Sequence, residues 1–184
     1  MRFLNLHSHE IRDILVDGLG VSQQIAFNFW LQRINEICRA DSSPHRQIQY
    51  TAEILTEFSQ APPNLHGSSL PIPEFVHLAE LNSSDQLIGH PLPPKEFENA
   101  GRYFLFLSGF EEQHVLKILG LGQTIQVGSV LFKIAGKMTH DDLLLEMSEH
   151  FKDWQRRLAY LHYELTKTAD QTLGTKLIIS TPKI

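Results

Sequence analysis

The stretch Leu144-Leu145-Glu146-Met147-Ser148-Glu149-His150-Phe151-Lys152-Asp153-Trp154-Gln155-Arg156-Arg157-Leu158-Ala159-Tyr160-Leu161-His162-Tyr163-Glu164-Leu165 decides the fold. Within it Leu144, Met147, Phe151, Trp154, Leu158, Leu161 and Leu165 recur at spacings that alternate between three and four. That alternation averages about 3.5 residues, close to one helical turn, so all seven side chains share one face of a helix. A strand would need a period of two. Burying each such side chain contributes roughly 1.5–3 kcal/mol gross, and conformational entropy offsets most of it. The stripe therefore requires other helices to cover it. The spacing predicts one unbroken rod from a Thr139 cap, with Asp141 and Asp142 in its positive first turn, to about Lys167.

Reading back from this rod, a helix is predicted over 123–137, with Ile125, Val127, Val130, Leu131, Ile134 and Ala135 apolar. Gly128 and Gly136 cost that helix about 1 kcal/mol each in propensity. The expected gain is close approach to the helix before it. That earlier helix starts at Pro94 and reads Phe97, Ala100, Tyr103, Phe104, Leu107, Phe110. Tyr103 to Leu107 is apolar all round, which marks a central element.

Seven of the nine prolines fall in 61–94. Proline lacks a backbone donor and breaks helix interiors, so this region reads as a crossover holding one short helix from Pro73 to about Leu81. Two further helices precede it. One runs from a Ser22 cap to Arg39, with Phe27, Trp30, Leu31, Ile34 and Cys38 inward. The other covers 44–60, with Ser43 as cap and Ile48, Ala52, Leu55 and Phe58 inward. Residues 8–17 read as a short first helix ended by Gly18 and Gly20. The expected fold is an all-α, single-domain bundle of about six helices over 1–170, with the 61–94 crossover inside it. Residues 171–184 form a C-terminal tail whose Leu177-Ile178-Ile179 is strand-like without a partner.

The 184 residues carry a formal charge of -5, and 42% are apolar. No cluster of cations offers phosphates a footprint, since the one adjacent basic pair is Arg156–Arg157. Nucleic acid is thereby excluded as a partner. The longest purely apolar run has five residues, far short of the about 20 that span a bilayer, so no membrane partner is expected. The N-terminal Met1 to His7 lacks the apolar core of a signal peptide, and a cytoplasmic location is expected. Cys38 is the sole cysteine, and its apolar neighbours mark it as buried and inert.

Ten histidines are scattered along the chain, and two Glu-x-x-His pairs occur, Glu74–His77 and Glu111–His114. Residues at i and i+3 project from one face and can grip one ion, which is how di-metal carboxylate bundles hold their pair of metals. Glu74, His77, Glu111 and His114 are thus the candidate metal ligands. Glu53, Glu57, Glu146 and Glu149 are available to complete a shell. Against this, Glu74–His77 falls in the crossover and the long apolar seam contains no acid or histidine, so no cofactor is favoured. There is no G-x-S-x-G, no P-loop and no G-x-G-x-x-G, which leaves nucleophilic and nucleotide chemistry without a motif.

Gly101-Arg102-Tyr103-Phe104-Leu105-Phe106-Leu107-Ser108-Gly109-Phe110 is the most distinctive string. It resembles a Gly-x-x-x-Leu-Phe-x-Ser-Gly-Phe segment of uncharacterised bacterial all-helical proteins. Tyr50-Thr51-Ala52-Glu53-Ile54-Leu55-Thr56-Glu57-Phe58 is similar to an earlier helix of the same group. Arg102 stands where that pattern commonly has an acid, and Glu111 where a proline often ends the helix. The resemblance implies a helical bundle and no activity. The expected function is non-catalytic binding of another protein, of a second copy, or of an apolar ligand. The alternatives are a di-metal or other cofactor-dependent oxidoreductase, and a small-ligand sensor with a pocket lined by Tyr103, Phe106 and Trp154.

Overall fold

A computed structural model describes residues 23–39, 44–60, 72–82, 92–110 and 119–179, with side chains at all of these except 60, 81, 82 and those beyond 167. The described chain is all helical. In order its elements are α1 (Gln23–Cys38), α2 (His45–Gln60), α3 (Ile72–Asn82), α4 (Pro94–Phe110), α5 (Leu121–Thr139), α6 (Asp142–Glu149) and α7 (Phe151–Ile179). None is long and apolar enough to cross a membrane among the described residues. The segment 8–17, Ser22 and Ser43 lie outside the described residues.

α4 is the axle. Every residue from Tyr103 to Phe110 is buried, together with Phe97, Ala100 and Gly101. α5 packs along it most extensively, α7 covers a second side, and α1 and α2 form a pair beside them. Helix backbones this close require small residues at the crossings. A Cβ on Gly109 would stand 2.5 Å from the Leu158 Cβ of α7. Gly128 of α5 leaves a notch filled by the Phe151 ring, with the Phe104 Cβ 3.0 Å from where its own Cβ would be. Gly136 does not face α4, as its spacing suggested. It meets Leu145 of α6, because the chain folds back there.

All seven seam residues are buried, from Leu144 to Leu165. The rod carrying them is not single. His140 takes a left-handed conformation at φ 54 and ends α5, and the Asp141 carboxylate then caps α6 by accepting from the Leu143 N–H at 2.9 Å. Thr139 is therefore the last residue of α5, and its hydroxyl donates to the Ala135 carbonyl at 2.8 Å. An acid in extended backbone is the stronger cap, and a histidine tolerates positive φ better than a β-branched residue. A second interruption falls at His150, between α6 and α7. The Ser129 hydroxyl of α5 donates to the Ser148 carbonyl at 2.8 Å. A side chain bonding into the helical ladder is a known cause of such breaks. The stripe stays in register across it, since the His150 carbonyl still accepts from Asp153 and Trp154 at 3.0 Å each.

α1 is rotated from its expected orientation. Ala26, Phe29, Trp30, Ile34 and Cys38 are buried, whereas Phe27 and Leu31 are only half-buried. Trp30 anchors this face by donating to the Ser59 hydroxyl at 3.2 Å and packing edge-to-face with Phe110, their ring centroids 5.8 Å apart. The strand-like reading of Leu177-Ile178-Ile179 is overturned, because α7 continues helically to Ile179. A lone strand leaves its backbone donors and acceptors unpaired, and a helix satisfies them within the segment.

Candidate functional site

One cation interrupts the buried face of α4. Arg102 has a side chain only 12% exposed, between Gly101 and Tyr103. Such a charge needs partners, since desolvation disfavours it alone. Its Nη2 meets a Glu57 oxygen of α2 at 2.6 Å, and its Nη1 stands 3.8 Å from Glu98 one turn earlier on α4. The guanidinium carbon lies 5.5 Å from the centre of the Tyr50 ring. The Tyr50 hydroxyl donates to Glu98 at 2.9 Å, and Lys95 reaches the other Glu98 oxygen at 3.0 Å. Burial, with the Glu98 carboxylate beside it, pushes the Tyr50 hydroxyl far above its ordinary range, and Arg102 opposes this. Tyr50 therefore stays protonated and acts as a fixed donor. The Arg102 Nε is buried and makes no hydrogen bond.

Arg102 and Glu57 of this network line an open cleft of about 760 Å³ between α1, α2 and α4. Gln23, Gln24 and Phe27 line it from α1, Glu53, Thr56 and Glu57 from α2, and Arg102 from α4. Among the described residues, two carboxylates and one guanidinium give the lining one net negative charge. Glu57 is matched by Arg102, and Glu53 has no partner among the described residues. The Thr56 hydroxyl donates back to the Ala52 carbonyl at 2.7 Å, so its lone pairs remain available as acceptors. A second cleft of about 480 Å³ lies between Arg33, Glu36 and Ile37 of α1 and Tyr160, Leu161, Glu164 and Leu165 of α7.

Of the expected metal ligands, Glu74 and His77 are exposed on α3, while Glu111 and His114 lie outside the described residues. Glu57 is held by Arg102, and Glu146 accepts from the Gln47 amide at 3.1 Å. Glu53 and Glu149 are exposed on separate helices. Among the described residues no three His, Cys, Asp or Glu side chains converge as a metal shell would require. Tyr103, Phe106 and Trp154 do not line either cleft. They belong to the packed core, where Phe106 stacks between Phe58 at 4.9 Å and Phe110 at 5.4 Å. The Trp154 indole donates to the buried Gln47 amide oxygen at 2.9 Å. Cys38 is buried and free of disulfides. His162 is half-buried with its ring stacked 5.2 Å from Phe110.

The Arg102 cluster was not anticipated from sequence. Its signal was present in a lone arginine heading an apolar run, with Glu98 four residues before it on the same face. No family model matches this chain, and no curated protein and no solved structure matches it either.

Proposed function

We propose that this protein is a non-catalytic helical binding module whose α1–α2–α4 cleft takes a small organic cation bearing an ammonium group. The observation that carries this reading is the Glu53 carboxylate, which has no partner among the described residues, on a cleft wall whose other described charges, Glu57 and Arg102, are matched. Glu53 and Glu57 sit one helical turn apart, where like charges repel by a few tenths of a kcal/mol. Arg102 relieves Glu57 and leaves Glu53 to an incoming cation. The half-buried Phe27 ring offers a face to the same group. The Gln23 and Gln24 amide oxygens and the Thr56 hydroxyl supply neutral acceptors. At about 760 Å³ the cleft falls in the size range of small-molecule sites.

The way the charges are engaged supports binding rather than catalysis. Glu57, Glu98, Arg102 and Lys95 balance one another, and Tyr50 is held as a donor. Of these groups Glu57 and Arg102 line the cleft, and rigid helices rather than loops position them.

Titrating the full chain with 1,5-diaminopentane by calorimetry tests the reading. Saturable binding is expected, with Glu53→Gln weakening it about tenfold or more, equivalent to about 1.4 kcal/mol. Phe27→Ala is expected to weaken it several-fold. Heats for the unaltered chain that match buffer dilution, or binding equal in the Glu53→Gln variant, would refute it.

A further inference from the structure

The face of α6 and α7 opposite the seam carries charges that no helix covers among the described residues. Asp142, Glu149, Lys152, Asp153, Arg156, Tyr160 and Tyr163 are all exposed on it. Tyr160 and Tyr163 are 55% and 59% exposed, more than any other large hydrophobic side chain described. Tyrosine in that setting is typical of contact surfaces, where one end is apolar and the other wet. Along the chain the face begins acidic, alternates in sign near its middle, and ends in arginine and tyrosine.

We infer that this face docks on the same face of a second copy, with the two α6–α7 rods antiparallel about a twofold axis beside the peptide joining Lys152 to Asp153. The argument is charge complementarity in one register. In that pairing Lys152 meets Asp153 of the other copy. One turn out, Glu149 meets Arg156. Further out, the Asp142 carboxylate meets the Tyr163 hydroxyl. Each contact occurs twice, as a twofold interface requires. A parallel pairing in register would instead set Glu149 against Glu149 and Arg156 against Arg156. The intrachain bridges here are long and exposed, Asp153 lying 3.8 Å from Arg156 and 3.8 Å from His150, so these groups are free to change partners.

The contact spans residues 142–163, about 33 Å of helix. One helix face of that length buries less than the roughly 1,200 Å² of a standard stable interface. The dimer is therefore concentration-dependent and sensitive to salt. It involves none of the residues that line the amine cleft, so failure of either proposal leaves the other standing.

Sedimentation equilibrium of the full chain gives the test. A monomer–dimer equilibrium is expected at about 20 mM salt, with the dissociation constant rising about tenfold or more at about 500 mM. Arg156→Glu and Glu149→Arg are each expected to weaken the dimer about tenfold. The double variant carrying both reverses the charges of the pair and is expected to recover most of the loss. All these positions are exposed, and thermal melts check that the variants fold. A strict monomer up to about 0.5 mM at low salt overturns the inference. So does a dimer that ignores the single substitutions, or one that the double reversal fails to restore.

Discussion

Two sides of α4 solve the problem of burial differently. Toward α5 and α7 the interface is dry and set by shape, with Gly109 against Leu158 and Gly128 beneath Phe151. Toward α2 the same helix presents Arg102, Glu98 and Lys95, tied to Tyr50 and Glu57. The first side tolerates almost no added volume, because neighbouring atoms already occupy the space. The second tolerates a cleft, because its order comes from directional charge pairs rather than filling. The lesson is that one helix can be a packing element on one face and the wall of a polar site on the other, with the division set by a single arginine.

The sharpest way to break the dry side is Trp154→Ala. It removes a fully buried indole and strands the Gln47 amide oxygen, and a loss of about 3–5 kcal/mol is expected in chemical denaturation. On the polar side, Arg102→Met strips Glu57 and Glu98 of their guanidinium. The expected loss is about 2 kcal/mol, since Glu57 is half exposed and regains water. Gly128→Ala sharpens the contrast again. Its Cβ collides with the Phe151 ring, and a net cost of about 1–2 kcal/mol is expected after the gain in helix propensity.

Smaller effects separate the two sides further. Tyr50→Phe is expected to cost about 1 kcal/mol, and its pH signature is the more telling readout. Above about pH 10 the unfolded chain releases the Tyr50 proton while the folded chain keeps it, so stability falls as pH rises, by up to about 1.4 kcal/mol per unit. The Phe variant is expected to show a shallower alkaline decline in thermal melts across that range. Gly122→Ala marks the bottom of the scale. Nothing lies within 4 Å of a Cβ there, so helix propensity alone acts, and a gain of up to about 0.5–1 kcal/mol is expected.

Much of the fold was legible because helical periodicity depends on local spacing. The seam from Leu144 to Leu165, the all-round apolar stretch of α4, and a helix starting at Pro94 each declare themselves within a few turns of sequence. The break at His150 was not legible, because it goes with a hydrogen bond from Ser129 of another helix to the Ser148 carbonyl. The cleft was hidden for the same reason. Phe27, Glu53 and Arg102 lie 26 or more residues apart, and no local pattern links them. Glu74 and His77 carry a ligand spacing that sequence can recognise, yet spacing alone does not bring further donors to face them.

From its order of residues alone, this chain was committed to helices with one greasy face each and to a buried α4, since those follow from side-chain periodicity and the avoidance of water. Which helix met which, where the rods interrupted one another, and that Arg102 would find Glu57 beside Glu53 were settled only on assembly. Those outcomes depend on contacts between distant segments, and a contact has no existence until both surfaces are in place.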